Sequence, residues 1–184
     1  MPTVVVSANT GADFGGVLDT RIVPGAPTTN FSSETTVEVD AAGNCTLILF
    51  PTSGITGPVT VSAVTLRAAA TFNNGTIAGS VDRILVSWTN AGVTWNTRDG
   101  STNWGTAGAL GGADITGIGS FSFDATTPPA VLKAFTGFSL IATVEGWING
   151  TFPNHGLRIA IPSGAGINWH SAEGTDGLRF ELEI

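Results

Sequence analysis

The sequence predicts an all-β protein: an antiparallel β-sandwich of jelly-roll type with one or two short helical turns. Three observations predict it. Apolar residues recur with period two in short segments bounded by Gly, Asn and Pro, the spacing of strands packed on one face. Val, Ile, Phe and Thr dominate those segments while 25 glycines punctuate the chain, which is strand-and-turn composition. Only 11% of the residues are charged.

The strands follow in chain order. In "TTVEVD", Val37 and Val39 share one face and Glu38 and Asp40 the other. "CTLILF" is apolar on both faces and reads as a central strand. "VSAVTLRAAATF" gives a third strand, and "VDRILVSW" sets Ile84, Val86 and Trp88 against Arg83, Leu85 and Ser87. "SFSFD" pairs Phe121 with Phe123, and "HGLRIAI" aligns Leu157, Ile159 and Ile161. The cleanest alternation is "GLRFELEI", with Leu178, Phe180, Leu182 and Ile184 inward. Two stretches read as helical. "TTPPAVLKAF" has a Thr before Pro that suits a cap and first turn. "SLIATVEGWING" places Leu140, Val144, Trp147 and Ile148 at helical spacing, with "NG" as its end.

The 184 residues form one domain, 1–184, with residues 1–12 as an N-terminal arm. No repeat or linker divides it. "VVVS" near the start and "FELEI" at the end are edges that could pair with another copy.

Charge and composition exclude some function classes. The net charge is −7, with a single lysine, Lys133, and scattered arginines, which argues against a nucleic-acid partner. No apolar run approaches the roughly 18–20 residues of a membrane-spanning helix, so membrane insertion is not expected. Cys45 is the only cysteine, so no intrachain disulfide forms. A buried small apolar role is expected of it, with an intermolecular bridge or reactive thiol as alternatives. "MPTVVVSANTGADFGG" lacks the basic region of a secretory signal. The expectation is either a mature chain restarted at Met or a protein that works without that export route.

Catalytic patterns do not emerge. The 14 acidic residues contain no fixed-spacing pair of the kind a glycosidase needs. Asp19, Asp99, Asp114 and Asp124 stand alone near turns, where Asp caps backbone. "His170-Ser171-x-Glu173" is suggestive, but neighbours on a strand point to opposite faces and cannot act as base and nucleophile. A surface turn is the expectation there, with Glu173 paired to an arginine or a backbone donor. There is no G-x-S-x-G, phosphate loop or zinc spacing. The reading is therefore not an enzyme, with no cofactor. A structural calcium remains open at "GGADITG" and "AEGTDG", although no EF-hand pattern is present.

The tryptophans pose the main question. "AGVTWNTRDGSTNWGTAG" has the composition of a loop yet carries Trp95 and Trp104. Trp95 and Trp147 are expected as core residues or loop anchors. Trp104, Trp169 and the neighbouring His170 sit in polar, Gly-rich surroundings. They are candidates for stacking on a glycan or partner, the core being the alternative. On the stacking reading, Trp104→Ala spares folding.

Taken in order, the segments resemble the DNRLRE-type β-sandwich domain, which is related to alginate-binding carbohydrate modules and disaggregatase repeats. The opening "DTRIVPGAPTTNFSSETTVEV" is similar to that family's start through Asp19, Ile22, Pro27, Asn30, Phe31 and Ser33. "CTLILFPTSGITGPVTVSAVTLRAAA" is similar to its following strand pair through Leu47, Phe50, Ile55, Val61, Ala63 and Leu66. "SWTNAGVTWNTRDGSTNWGTAG" is similar at Trp88, Thr94, Trp95, Asn96, Arg98, Trp104 and Gly108. The tail contributes Val144, Trp147, Asn154, Gly156, Ser171, Glu173 and Leu182. Leu49 stands where the family commonly has Arg, and Asp99 follows Arg98 where Pro is usual. The resemblance implies a sandwich braced by its signature residues Asp19, Asn30, Phe31, Trp95, Asn96, Arg98, Trp147, Asn154 and Glu173. By analogy it also implies polysaccharide binding.

Two function classes are weighed. The first is a non-enzymatic structural or attachment module on a particle surface: a virion decoration, cement or tail-accessory protein. It has subunit partners, or copies of itself in a homo-oligomer, and touches host glycans. The alternative is an extracellular polysaccharide-binding module cut from a larger secreted protein.

Overall fold

The computed structural model describes residues 3–72, 75–126, 131–162, 164 and 166–184. Among these residues, eleven strands and one helix follow one another as β1 (Val5–Ser7), β2 (Leu18–Ile22), β3 (Thr36–Val39), β4 (Cys45–Leu49), β5 (Thr65–Ala68), β6 (Gly75–Ile84), β7 (Ile115–Ala125), β8 (Lys133–Ala134), α1 (Ile141–Ile148), β9 (Leu157–Ala160), β10 (Ile167–His170) and β11 (Glu181–Glu183). Among the described residues, no helix is long and apolar enough to cross a membrane.

The expected all-β sandwich is what forms. One sheet has the order β2-β4-β9-β6-β7, another β1-β11-β5-β8, and β10 pairs with β3. Every named strand pair is antiparallel. A bridge between Ala70 and Trp169 ties the β10-β3 pair to the end of β5. The chain crosses between the layers at almost every step, as in a jelly roll.

The main core lies between the layers, where inward residues of opposite sheets meet. Ile48, Val81, Phe121, Phe123, Leu157 and Ile159 come from the five-stranded sheet; Leu66, Ala68, Trp169, Phe180 and Leu182 close it from the other side. Its aromatic centre is built edge to face: Phe123 lies 5.6 Å from Trp169 at 87°, and Trp169 lies 5.9 Å from Phe180. These are favourable quadrupole geometries. Helix α1 forms where expected and turns Val144 and Trp147 into this core.

β4 explains why both its faces are apolar. Ile48 and Phe50 enter the main core, whereas Cys45 and Leu47 enter a second cluster on the outer face of the same sheet. Cys45 is fully buried there, as expected.

Several expectations need correction. β6 ends at Ile84, so Val86 and Trp88 are not strand residues but pack on the second cluster. The last strand is only Glu181–Glu183, so Leu178 and Phe180 lie outside it, although Phe180 and Leu182 are both fully buried as the alternation predicts. In the segment read as a helical cap and turn, Lys133 and Ala134 form strand β8 against β5; residues 127–130 lie outside the described residues. The two terminal strands pair with each other, with β1 at the edge of its sheet. β1 pairs with β11 in the same chain, and the outer side of β1 is taken by Asp13 and Phe14. The arm is thereby part of a sheet, with the N–H and C=O of Val5 and the N–H of Ser7 bonded within the chain.

Candidate functional site

Residues 85–114 connect β6 to β7 and cover the outer face of the five-stranded sheet. This is the Trp-bearing segment, and it folds by burying its rings against Ile22, Cys45, Leu47 and Ile84. Backbone bonds tighten it: Thr94 and Trp104 donate to the Thr97 and Asn96 carbonyls, and Arg98 donates to Thr102. Carboxylates fix its turns. Asp99 accepts from the Ser101 and Thr102 amides, and Asp114 from Gly105 and Thr106. The donors around Asp99 hold its carboxyl well below the ordinary range. Both are the local caps expected of Asp near turns.

The structure decides between the alternatives for the tryptophans. Trp104 is 4% exposed, and its indole N–H donates to the Thr94 carbonyl at 3.0 Å. Trp169 is fully buried at the aromatic centre. Neither ring can stack on a glycan or partner; both assignments are corrected to core. The physical reason is tertiary. Trp169 faces inward on β10, and Trp104 fills the gap between cover and sheet. His170, its side chain half-buried, lines a small polar recess with Thr35, Thr36 and Glu173. Burial lowers its pKa. Trp147 is buried in the main core, and Trp95 is a half-buried anchor of the cover.

Among the other signature residues, Asn30, Phe31, Arg98, Asn154 and Asp19 act as braces. Asn30 donates to the Asn90 and Val93 carbonyls, both at 2.7 Å, and so ties the loop before β3 to the cover. Arg21 lies over the Phe31 ring at 4.6 Å and pairs with Glu34 and Glu38. Asn154 donates to the Phe50 carbonyl, and Arg98 to that of Ser87. Asp19 is 1% exposed and accepts from the Ala172 amide at 2.8 Å; its other oxygen has no partner. Burial, with the Glu173 charge adding to it, pushes its pKa up to about 8. Glu173 itself joins no ion pair among the described residues; its amide donates to Ser171 Oγ. Ser171 Oγ donates in turn to the Glu34 carbonyl at 2.6 Å.

Sequence reading missed one buried pair. Arg158 and Asp82 meet at 2.9 Å beneath the cover. Arg158 also contacts the Cys45 thiol, whose pKa burial pushes up. The signal was an Arg in the middle of "GLRIAI", read only as the outward position of a strand.

Two concavities stand out. The larger, about 490 Å³, is apolar: Val4, Ile55, Val61, Ile148 and Ile184 line it beside the terminal strands. The other, about 400 Å³, is polar and opens on the cover, between Thr28–Asn30 and residues 91–103. It gathers Asn30 and Asn96, two of the signature residues, with Thr28, Thr94, Thr97 and Asn103. Among the described residues, the side chains of Asn96, Asn103 and Thr28 make no hydrogen bond within the protein. Their hydrogen-bonding groups are left over by the fold.

In the loops considered for calcium, both aspartates are used otherwise: Asp114 holds the two cover amides, and Asp176 accepts from the Thr10 amide. No cluster of three or more His, Cys, Asp or Glu side chains suited to a metal occurs among the described residues. No family model matches the chain, and no curated protein matches it.

Proposed function

We propose that the chain is a non-enzymatic attachment module displayed on a particle surface, of the virion decoration, cement or tail-accessory kind, which touches host glycan through the polar cleft. Partner subunits, or further copies of the chain, hold it in the assembly. One observation carries the reading: a cleft on the outermost layer is lined by Asn, Thr, Gly and Ala, with side-chain amides left free. Such a surface suits hydroxyl groups. Its lining holds no Asp, Glu, His, Lys or Cys to act as acid or base or to activate a threonine hydroxyl, which supports binding over bond cleavage.

Hydrogen bonds alone bind weakly in water, because each exchanges for a bond to solvent and contributes about 1 kcal/mol. A site of this kind becomes effective in many copies, through avidity. Display on a particle supplies that multiplicity. The alternative, a polysaccharide-binding module cut from a larger extracellular protein, is favoured by the DNRLRE-type resemblance and uses the same cleft.

Quantitative mass spectrometry of purified particles from the native source tests the proposal. Stoichiometric copies per particle are expected. Recovery only from free extracellular material, within a longer polypeptide, overturns it in favour of the alternative.

A further inference from the structure

We infer that the cleft selects neutral, hydroxyl-rich glycan over anionic polysaccharide, with Asn96, Asn103 and Thr28 as the specificity-determining residues. The inference rests on the attachment reading above and names its ligand class.

Size and chemistry support it. At about 400 Å³, the cleft falls within the roughly 300–1,000 Å³ of small-molecule sites, enough for a short stretch of glycan. None of its lining residues is Lys, Arg, Asp, Glu or His. Arg98, the nearest cation in sequence, is turned away and donates to the Ser87 carbonyl and hydroxyl. Asp99 is occupied by its own turn. A uronate entering here would lose hydration and meet no cation, which is costly, on a chain of net charge −7. A neutral sugar meets no such penalty. Each free amide offers two donors and an acceptor, the complement of neighbouring hydroxyls. No aromatic face is presented either, since Trp104 is buried and Trp95 packs on Gly108. The selectivity therefore runs against the alginate-type ligand that the family resemblance implies.

The test is titration of the full chain, followed by NMR, with neutral gluco-, galacto-, manno- and xylo-oligosaccharides and with oligouronates of matched length. A neutral oligosaccharide is expected to bind near about 1 mM, to shift the Asn96 and Asn103 side-chain amide signals, and to bind equally at low and high salt. Asn96→Ala with Asn103→Ala is expected to weaken it about tenfold or more while keeping the parent melting temperature, since neither amide holds the fold. Thr28→Ala, in an exposed loop, provides a second variant with the same sign. Preferred binding of oligouronates overturns the selectivity and leaves the attachment reading standing. Binding of neither class, or neutral binding unchanged in both variants, overturns the cleft as a glycan site. The particle mass spectrometry reads the attachment proposal separately.

Discussion

The indole of Trp95 lies directly against Gly108: a Cβ at position 108 would sit 2.4 Å from the ring. The Gly108 amide also donates to the Trp95 carbonyl at 2.7 Å, and Gly108 has φ +81°. Two distant parts of the cover are thus fastened by one large side chain and one missing one. Only glycine serves there, by space and by backbone conformation.

Gly108→Ala is therefore expected to destabilise by about 2–4 kcal/mol, from the clash and the left-handed φ together. In the double variant with Trp95→Ala, the clash disappears and only the backbone strain remains. The two costs should add to less than their sum in a urea-unfolding cycle. Strict additivity would show that ring and glycine do not touch.

Trp104→Ala is expected to cost about 3–5 kcal/mol, by the loss of a large buried ring from the second core, and to orphan the Thr94 carbonyl that its indole N–H satisfies. A melting temperature equal to the parent's would return Trp104 to the surface.

Asp19 makes stability depend on pH. Its folded pKa is about 8, against about 3.9 in an unfolded chain. Between those values the folded state keeps a proton that the unfolded state has lost, so stability falls as pH rises. The slope for one group reaches about 1.4 kcal/mol per pH unit. Below pH 4 and above pH 8 its contribution is flat. Asp19→Asn should remove this slope, and melting curves of parent and variant from pH 4 to 9 measure the difference. Parallel curves would contradict a buried, protonated Asp19.

The Arg158–Asp82 pair is buried on both sides, with side-chain exposures of 7% and 11%. Arg158→Met leaves Asp82 alone beneath the cover and should cost about 3–5 kcal/mol. Adding Asp82→Asn removes the stranded charge and should recover much of that loss. Equal stability of the single and double variants by urea unfolding would contradict the account.

The sequence made the fold legible where side chains alternate plainly. Leu182, in step with the buried Phe180 before it, announced β11, and the doubly apolar β4 announced a sheet buried on both faces. Strand β2 was not legible, because Asp19 and Arg21 break its alternation; the Ala172 amide and the Glu34 and Glu38 carboxylates compensate them only in the folded chain. Strand β1 was legible as an edge in "VVVS", but not its pairing with β11 of the same chain, where Val6 faces Leu182. Trp169 and Trp104 misled for a related reason. Their Gly, Asn and Ser neighbours signal exposed loops, whereas burial is decided by what lies across the core. In the site, Asn96 was legible as a signature residue. That its amide stays free while that of Asn30 is occupied is a property of the packing.

The Trp-bearing segment 85–114 packs as a second core that holds the cleft in shape. Native-state hydrogen exchange tests it most directly. The amides of Val93, Thr94, Trp104 and Gly108, each bonded within the cover, are predicted to exchange as slowly as those of β4 and β9, by global unfolding. Exchange on the scale of a mobile surface loop at these four amides would contradict the account, and with it the preformed cleft.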